Sequence, residues 1–156
     1  MIELRTVQKT EEKLLFNLLQ KYLYELSQFY GDDIDEEGNI EYVHFNDYFW
    51  DKTRKALLIL KDKSVAGFVL INNYSYIGEK PDYVIAEFCV LPKYRKSHIA
   101  EKAFNLLCKT YPGKWELKYS MGNIPAMKLW EKVTEPLNAT IYQLEDGEKV
   151  ITFCTE

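Results

Sequence analysis

The sequence feature that most limits the fold is an apolar run over residues 83–91, Tyr-Val-Ile-Ala-Glu-Phe-Cys-Val-Leu. Glu87 is its only charged residue, and Pro92 ends it. A short apolar run bounded in this way predicts a central β-strand that is buried on both faces. A strand of that kind needs neighbouring strands at its edges and helices on the faces of the sheet.

Hydrophobic periodicity predicts the other elements of the chain. Apolar residues recur at helical spacing through residues 10–28, where Thr10 and two acidic residues are typical of a helix start. Further helices are predicted over residues 42–50, 98–111 and 125–132, and further strands over residues 2–7, 56–60, 65–72, 115–119, 140–144 and 150–154. The order β-α-α-β-β-β-α-β-α-β-β predicts a single α/β domain over residues 1–156, with a mixed sheet and helices on its faces.

The bulk composition argues against several classes of protein. The net charge of −4 and the isoelectric point of about 5.3 disfavour nucleic acid as a partner, since phosphate backbones need a basic face. No stretch approaches the roughly 18 apolar residues of a membrane span, and the first residues lack a signal peptide. We therefore expect a cytoplasmic protein without membrane contact. A chain of this length folds without a metal, and we expect none.

Three cysteines, Cys89, Cys108 and Cys154, are widely spaced. An odd number without paired spacing is typical of reduced thiols in an intracellular protein. Because each lies in an apolar run, we expect all three to be small buried side chains. A nucleophilic role for Cys89 is disfavoured, since no histidine lies near it in the sequence.

A basic loop follows Pro92 and leads into the helix predicted over residues 98–111. Lys93, Arg95 and Lys96 place three cations within four residues. The first backbone N–H groups of a helix, together with the positive end of its dipole, bind phosphate groups. Taken alone, these residues favour a phosphate site and a solvated basic turn equally.

The residues from Val90 to Ala100 read Val-Leu-Pro-Lys-Tyr-Arg-Lys-Ser-His-Ile-Ala. This segment resembles the GNAT N-acetyltransferase superfamily, in which a strand ending in Val-x-Pro-x-Tyr-Arg leads into Arg/Gln-x-x-Gly-x-Gly/Ala and a helix. A second element of that family is an Asn, an Ala three residues later and an aromatic residue in the same helix. Asn123, Ala126 and Trp130 match it. The predicted order of elements is also similar to that family over nearly the whole chain.

The resemblance implies an enzyme that binds acetyl-CoA and passes the acetyl group directly to a primary amine of a small acceptor. The alternative is a non-catalytic acyl-CoA-binding or regulatory domain. The loop is expected to hold the pyrophosphate, the strand edge to pair with the pantetheine arm, and the second element to lie beside that arm. The residues implied in cofactor binding are Cys89, Val90, Leu91, Arg95, Lys96, Ser97, His98, Ile99, Ala100, Asn123 and Trp130.

Two residues depart from the family pattern. His98 stands where the first Gly of the loop is expected, and His tolerates a positive φ better than most residues. Its side chain is expected either to be exposed near the helix start or to contact the ligand. Trp130 stands where many members have a Tyr that protonates the departing thiolate. Indole cannot serve as that acid, so Trp130 is expected to pack against the cofactor arm or to form core.

Glu87 is the candidate general base. A carboxylate in an apolar strand is costly unless it is paired or used, and burial should raise its pKa toward that of a useful base. The alternative is an ion pair with a neighbouring basic side chain. Tyr83, Tyr119 and Tyr142 are weaker candidates for an acid or proton relay.

The acceptor is expected to contact the first half of the chain. Residues 31–39, Gly-Asp-Asp-Ile-Asp-Glu-Glu-Gly-Asn, form an acidic segment that is either a solvated loop or a negatively charged lip over the acceptor. The aromatic residues that follow it, Tyr42, Tyr48, Phe49 and Trp50, suit an ammonium group. The sequence leaves the oligomeric state open, with a homodimer as one alternative.

Overall fold

The computed structural model describes all residues, 1–156. One seven-stranded mixed sheet forms the centre, with strand order β1-β2-β3-β4-β5-β7-β6, so β4 is the middle strand. Only β4 and β5 pair in parallel. The strands are β1 (Ile2–Thr6), β2 (Lys55–Lys61), β3 (Ser64–Asn72), β4 (Tyr83–Val90), β5 (Gly113–Tyr119), β6 (Thr140–Gln143) and β7 (Lys149–Thr155), and the α-helices are α1 (Glu12–Tyr30), α2 (Ile99–Thr110) and α3 (Ile124–Thr134).

The sheet has a hydrophobic core on each face. Successive side chains of a strand point to opposite faces, and β3 shows this clearly. Phe68 and Leu70 belong to the core that includes α1, whereas Val69 and Ile71 belong to the core that includes α2 and Trp130 of α3. The α/β fold predicted from the sequence is therefore confirmed. β4 lies between the two layers, but residues 86–88 are only partly buried, so the predicted burial of this strand on both faces is incomplete.

One predicted helix takes a different form. Residues 42–50 contain a short 3₁₀ helix, Phe45–Phe49, rather than an α-helix. Phe45 and Tyr48 lie three residues apart and are both buried. A spacing of three is the repeat of a 3₁₀ helix, so this short segment buries both aromatic side chains on one side.

The prediction that all three cysteines are buried is wrong for one of them. Cys89 and Cys108 are buried, whereas Cys154 is exposed, and all three are free thiols. Cys154 follows Phe153 in β7, so its side chain points to the opposite face of the sheet from that buried residue.

No helix combines the length and the apolar character that crossing a membrane requires.

The pairing of β4 with β5 ends early and opens the sheet. The parallel register covers three pairs and stops at Ile85 opposite Leu117. On the other edge of β4, Leu70 of β3 lies opposite Glu87 and Ile71 lies opposite Ile85, so Ala86 is an extra residue. A β-bulge of this kind bends its strand and increases the local twist. The second half of β4 diverges from β5, and a cleft lies between them.

Close packing of β3 against the end of β4 depends on Gly67. A Cβ atom at this position would overlap the carbonyl oxygen of Cys89 and crowd Val90. Backbone atoms cannot rotate out of the way as a side chain can. Gly67 therefore permits the approach that holds the end of β4 in the sheet.

We predict that Gly67→Ala destabilises the protein by about 1–3 kcal/mol, the usual cost of overpacking. Chemical denaturation measures the free energy of unfolding. Gly122→Ala is the matched control, because a Cβ atom there meets nothing closer than 3.7 Å. Equal unfolding free energies for the Gly67→Ala variant and wild type would contradict the prediction.

Candidate active site

The cleft between β4 and β5 has a volume of about 540 Å³. Residues 85–90 of β4 and residues 117–120 at the end of β5 line it along the sheet. Its remaining walls come from the second half of α1, from α3 with its cap Asn123, and from four further residues, Asp32, Tyr76, Arg95 and Ala100. Because α1 and α3 cover opposite faces of the sheet, the cleft has an α1 side and an α3 side.

Glu87 lies on the α1 side of the cleft. The bulge at Ala86 places the side chains of Ala86 and Glu87 toward α1, whereas Ile85 and Phe88 pack in the opposite core. The Glu87 carboxylate accepts a hydrogen bond of 2.7 Å from the hydroxyl of Tyr42. It forms no ion pair, since the nearby Lys118 pairs with Glu148 at 3.3 Å.

Burial raises the pKa of Glu87 from its ordinary value of 4.5 to about 7. The hydroxyls of Tyr42 and Tyr22 and the charge of Lys118 act in the opposite direction and lower the pKa. The raised pKa predicted from the sequence is confirmed. A carboxyl group of this kind exchanges a proton near neutral pH, as a general base must.

The loop after β4 has the backbone form of an anion-binding site. Lys96 and His98 adopt left-handed conformations with φ of 67° and 62°, so His98 has the positive φ that the sequence analysis expected a His to tolerate at this position. His98 precedes α2 without a side-chain cap, which leaves the first N–H groups of the helix without that partner. Turns that contain left-handed residues can direct successive backbone N–H groups into one anion-binding concavity. The imidazole is exposed, with Nδ1 at 3.4 Å from Glu101 Oε1.

Arg95 does not offer its side chain to this concavity. Its Nε donates to the carbonyl oxygen of Val90 at 2.8 Å, and its two terminal nitrogens donate to the Glu25 carboxylate at 2.9 and 2.8 Å. The ion pair raises the pKa of Arg95 and lowers that of Glu25. Arg95 thus ties α1 to the end of β4. The cations of the loop without an ion pair are Lys93 and Lys96.

The edge of β4 presents one backbone donor to the cleft among residues 89–91. The N–H of Leu91 donates to Ala66 of β3 at 2.7 Å, so it faces away from the cleft. Successive N–H groups of a strand point to opposite edges, and the N–H of Val90 therefore faces the gap left by β5. The carbonyl oxygen of Val90 is occupied by Arg95.

The second predicted element borders the α3 side of the cleft. Asn123 caps α3, with its Oδ1 accepting from the N–H of Ala126 at 3.3 Å. Trp130 is buried and packs edge-to-face against Phe88, with ring centroids 5.1 Å apart. Of the two expectations for Trp130, core packing describes it, although the residue also borders the cleft.

The three candidate proton donors lie in different places. Tyr119 lines the cleft and donates to Glu131 at 2.9 Å, and burial with this contact raises its pKa to about 12. Tyr83 packs against Trp115 at 4.8 Å, and Tyr142 is exposed on β6, so neither reaches the cleft.

The α1 side also contains aromatic residues that the sequence did not single out. Tyr22, Phe29 and Tyr30 come from α1, and Tyr76 comes from the loop between β3 and β4. Tyr76 is held by the buried carboxylate of Glu116, which accepts from its backbone N–H at 2.9 Å. The helical periodicity of α1 predicts a buried face but not which of its aromatics border a cleft.

The acidic segment contributes one residue to the cleft. Asp32 lines it, whereas Asp35 accepts from the N–H groups of Glu37 and Asn39, each at 2.9 Å, and so organises its own turn. Trp50 is 72% exposed and lies outside the cleft. Of the acidic segment, only Asp32 therefore lies where a lip over the acceptor was expected. Of the aromatic residues that follow the segment, Tyr42 is hydrogen-bonded to Glu87.

The comparisons with known proteins agree with this geometry. The sequence matches the acetyltransferase (GNAT) family over residues 15–134. Among solved structures, spermidine N-acetyltransferase from Vibrio cholerae, in complex with CoA and spermine, superposes with a TM-score of 0.69 at 13% identity, covering 99% of this chain and 95% of that one. PaiA N-acetyltransferase from Thermoplasma acidophilum, in complex with coenzyme A, gives 0.62 at 11% identity and covers 99% of each chain.

Aminoglycoside acetyltransferase AAC(6')-Ib, in complex with coenzyme A, gives a TM-score of 0.71 at 12% identity, covering 100% of this chain and 95% of that one. At these identities the likeness concerns the fold. A comparison with curated protein sequences finds no match. Because the family match covers most of the chain, this protein belongs to the acetyltransferase (GNAT) family, as its sequence motifs predicted.

We predict that Glu87→Gln stabilises the protein above neutral pH. The folded state raises the Glu87 pKa from 4.5 to about 7, so its contribution to stability is complete below about pH 4.5 and is lost as the pH rises to about 7. The neutral amide avoids this loss, which amounts to at most about 3 kcal/mol.

The free energy of unfolding, measured from acid to alkaline pH, should therefore diverge between the Glu87→Gln variant and wild type as the pH rises. Glu79→Gln is the control, because Glu79 is exposed. Parallel pH curves for the Glu87→Gln variant and wild type would contradict the assignment of a raised pKa.

Proposed function

We propose that this protein is a cytoplasmic N-acetyltransferase that transfers the acetyl group of acetyl-CoA to a primary amine of a small cationic acceptor. One observation carries the proposal. The cleft opened by the early end of β4–β5 pairing has a partly buried carboxylate, Glu87, on one side and leads to an uncapped helix start beyond the end of the strand. A base and an anion site are thus connected by an exposed strand edge.

The residues present suit CoA. The concavity between Lys96 and Ala100 offers backbone N–H groups to a pyrophosphate, and Lys93 and Lys96 add positive charge without competing ion pairs. The edge of β4 at Val90 offers its N–H toward the cleft, where an extended pantetheine arm runs as an added strand would. Asn123 and the ring of Trp130 border the α3 side. Arg95 is not assigned to phosphate binding, because its side chain is bound to Val90 and Glu25 and joins the end of β4 to α1.

Direct transfer needs little covalent chemistry from the protein. The amine nitrogen forms a bond to the acetyl carbon, the carbon–sulfur bond breaks, and one N–H proton passes to Glu87 while CoA leaves as the thiolate. Positioning of the amine contributes roughly 7–11 kcal/mol. A backbone donor such as the Val90 N–H, aimed at the developing oxyanion, contributes about 3 kcal/mol. A non-catalytic CoA-binding domain gives no reason for a carboxylate titrating near neutrality in the cleft.

The α1 side of the cleft suits a cationic acceptor. Tyr22, Tyr30 and Tyr76 present aromatic rings there, and Glu87 and Asp32 add negative charge. The cations that line the cleft, Lys118 and Arg95, are paired with Glu148 and Glu25, and Lys118 Nζ also lies 4.7 Å from the centroid of the Tyr76 ring. Cation–π contacts contribute about 0.5–2 kcal/mol each. The related structures that carry spermine, or that are named for aminoglycosides, are consistent with an acceptor of this class. The net charge of −4 disfavours nucleic acid.

We predict that acetyl-CoA binds the protein and that Glu87→Gln keeps this binding while losing turnover. Calorimetry with acetyl-CoA measures the first property, and release of free thiol with a panel of amines measures the second. Removing the base should lower turnover about 10²–10⁴-fold. Absence of binding heat at millimolar acetyl-CoA would refute the cofactor assignment. Full turnover by the Glu87→Gln variant would refute the role of Glu87.

We predict that Asp32→Asn raises the Michaelis constant for cationic amines about two- to fivefold, as expected for an exposed charge contact worth roughly 0.5–1 kcal/mol. Asp33→Asn is the matched control, because Asp33 is the next residue and does not line the cleft. Steady-state kinetics at low and high salt measure both variants. If the two variants behave alike, the acidic segment acts only through its overall charge.

A further inference from the structure

Tyr42 contacts Glu87 from outside the sheet. It lies in the segment between α1 and β2, and its ring packs against the core on the α1 face. Its hydroxyl donates to Oε2 of Glu87 at 2.7 Å across 45 residues of sequence. This is the only side-chain hydrogen bond to Glu87 within 3.5 Å, and none reaches the other oxygen, Oε1, although the Tyr22 hydroxyl lies near enough to the carboxylate to lower its pKa. The two oxygens of the carboxylate therefore have different surroundings.

The position of Tyr42 is fixed by its neighbours. Two residues earlier, Ile40 is bound at both backbone groups by the side chain of Gln20 in α1, with the N–H donating to Oε1 and the carbonyl oxygen accepting from Nε2, each at 2.7 Å. Three residues later, Phe45 begins the buried 3₁₀ helix. These two anchors hold Tyr42 at a set distance from β4 and limit the movement of its hydroxyl.

The surroundings of Glu87 contain many hydroxyls and one cation. Burial disfavours the ionised carboxylate. Lys118 opposes this effect only in part, because its charge is paired with Glu148. The titratable and charged groups that face Glu87 are Tyr22 and Tyr30 from α1, Tyr42 and Tyr48 from the segment before β2, Tyr76 from the β3–β4 loop and Lys118 from β5.

We propose that Tyr42 is a positioning residue that holds Oε2 of Glu87 and leaves Oε1 free to take the proton of the acceptor amine. The hydrogen bond also stabilises the ionised carboxylate, so that a base is present at neutral pH despite burial. The inference rests on the proposed role of Glu87 as general base. No acid–base step is assigned to Tyr42 itself, since burial, and then the nearby Glu87 carboxylate, raise the pKa of its phenol well above its ordinary value.

The experiment is a pH titration of the side-chain carboxyl carbons by carbon-13 NMR, in protein labelled at glutamate. The Glu87 signal is assigned by its absence in the Glu87→Gln variant, so the measurement needs no acceptor. In Tyr42→Phe the Glu87 pKa should rise by about one to two, the value of a hydrogen bond to a charged group. Tyr74→Phe is the matched control, because Tyr74 is exposed and lies outside the cleft.

The kinetic counterpart uses an acceptor amine whose own conjugate acid is much more acidic than Glu87. The acid limb of the kcat profile should then move to higher pH in Tyr42→Phe by the same amount as the NMR pKa, while the Kd for acetyl-CoA stays unchanged. A purely structural role for Tyr42 would lower activity at every pH without moving the limb, and would overturn the proposal. An unmoved Glu87 signal in the titration would do the same.

A second variant covers the case in which Tyr42→Phe folds poorly. Gln20→Ala keeps the hydroxyl but releases the clamp at Ile40, and it should raise the Glu87 pKa in the same direction by a smaller amount. A Glu87 pKa that stays at the wild-type value in this variant contradicts the proposal. Full turnover by Glu87→Gln would instead refute the proposed base, so the two failures are distinguishable.

Discussion

The early end of pairing between β4 and β5 is the constraint on which the site depends. A parallel ladder that continued past Ile85 would occupy the edge of β4 and close the sheet. The bulge at Ala86 bends β4 at the same point. One local irregularity therefore exposes the Val90 backbone, turns Glu87 toward α1 and makes room for a substrate between two halves of a continuous sheet. Gly67 keeps the bent strand attached to β3.

The ionised carboxylate of Glu87 in the cleft is stabilised by hydrogen bonds and not by an ion pair. Glu87 is surrounded by tyrosine hydroxyls, and its pKa reflects a balance between burial and those hydroxyls. The one cation nearby is engaged by Glu148. Arg95, by contrast, forms an ion pair. Its bidentate contact with Glu25 joins α1 to the end of β4. The bidentate ion pair at the site is thus a connection between elements, and the Glu87 carboxylate is left without an ion pair.

Sequence reasoning predicted the features that depend on local pattern. The apolar run predicted β4, the single acid within it predicted a carboxylate with a raised pKa, and His98 was expected to accept a positive φ. The partners of these residues could not be predicted. Tyr42 lies 45 residues from Glu87, and Glu25 lies 70 residues from Arg95. Periodicity gives the face on which a side chain lies, but only the packed sheet brings these distant residues together.

Holding the Glu87 carboxylate by hydroxyl groups has a consequence for ionic strength. Mobile ions screen exposed charges, with a Debye length of about 8 Å at physiological salt, whereas a partly buried hydrogen bond between a phenol and a carboxylate is screened less. Salt therefore acts on the outer part of the cleft at Asp32 and leaves the tyrosine–glutamate contact nearly unchanged. An ion such as potassium, at cellular concentration, can weaken the attraction of Asp32 for a cation without altering the hydrogen bond that holds Glu87.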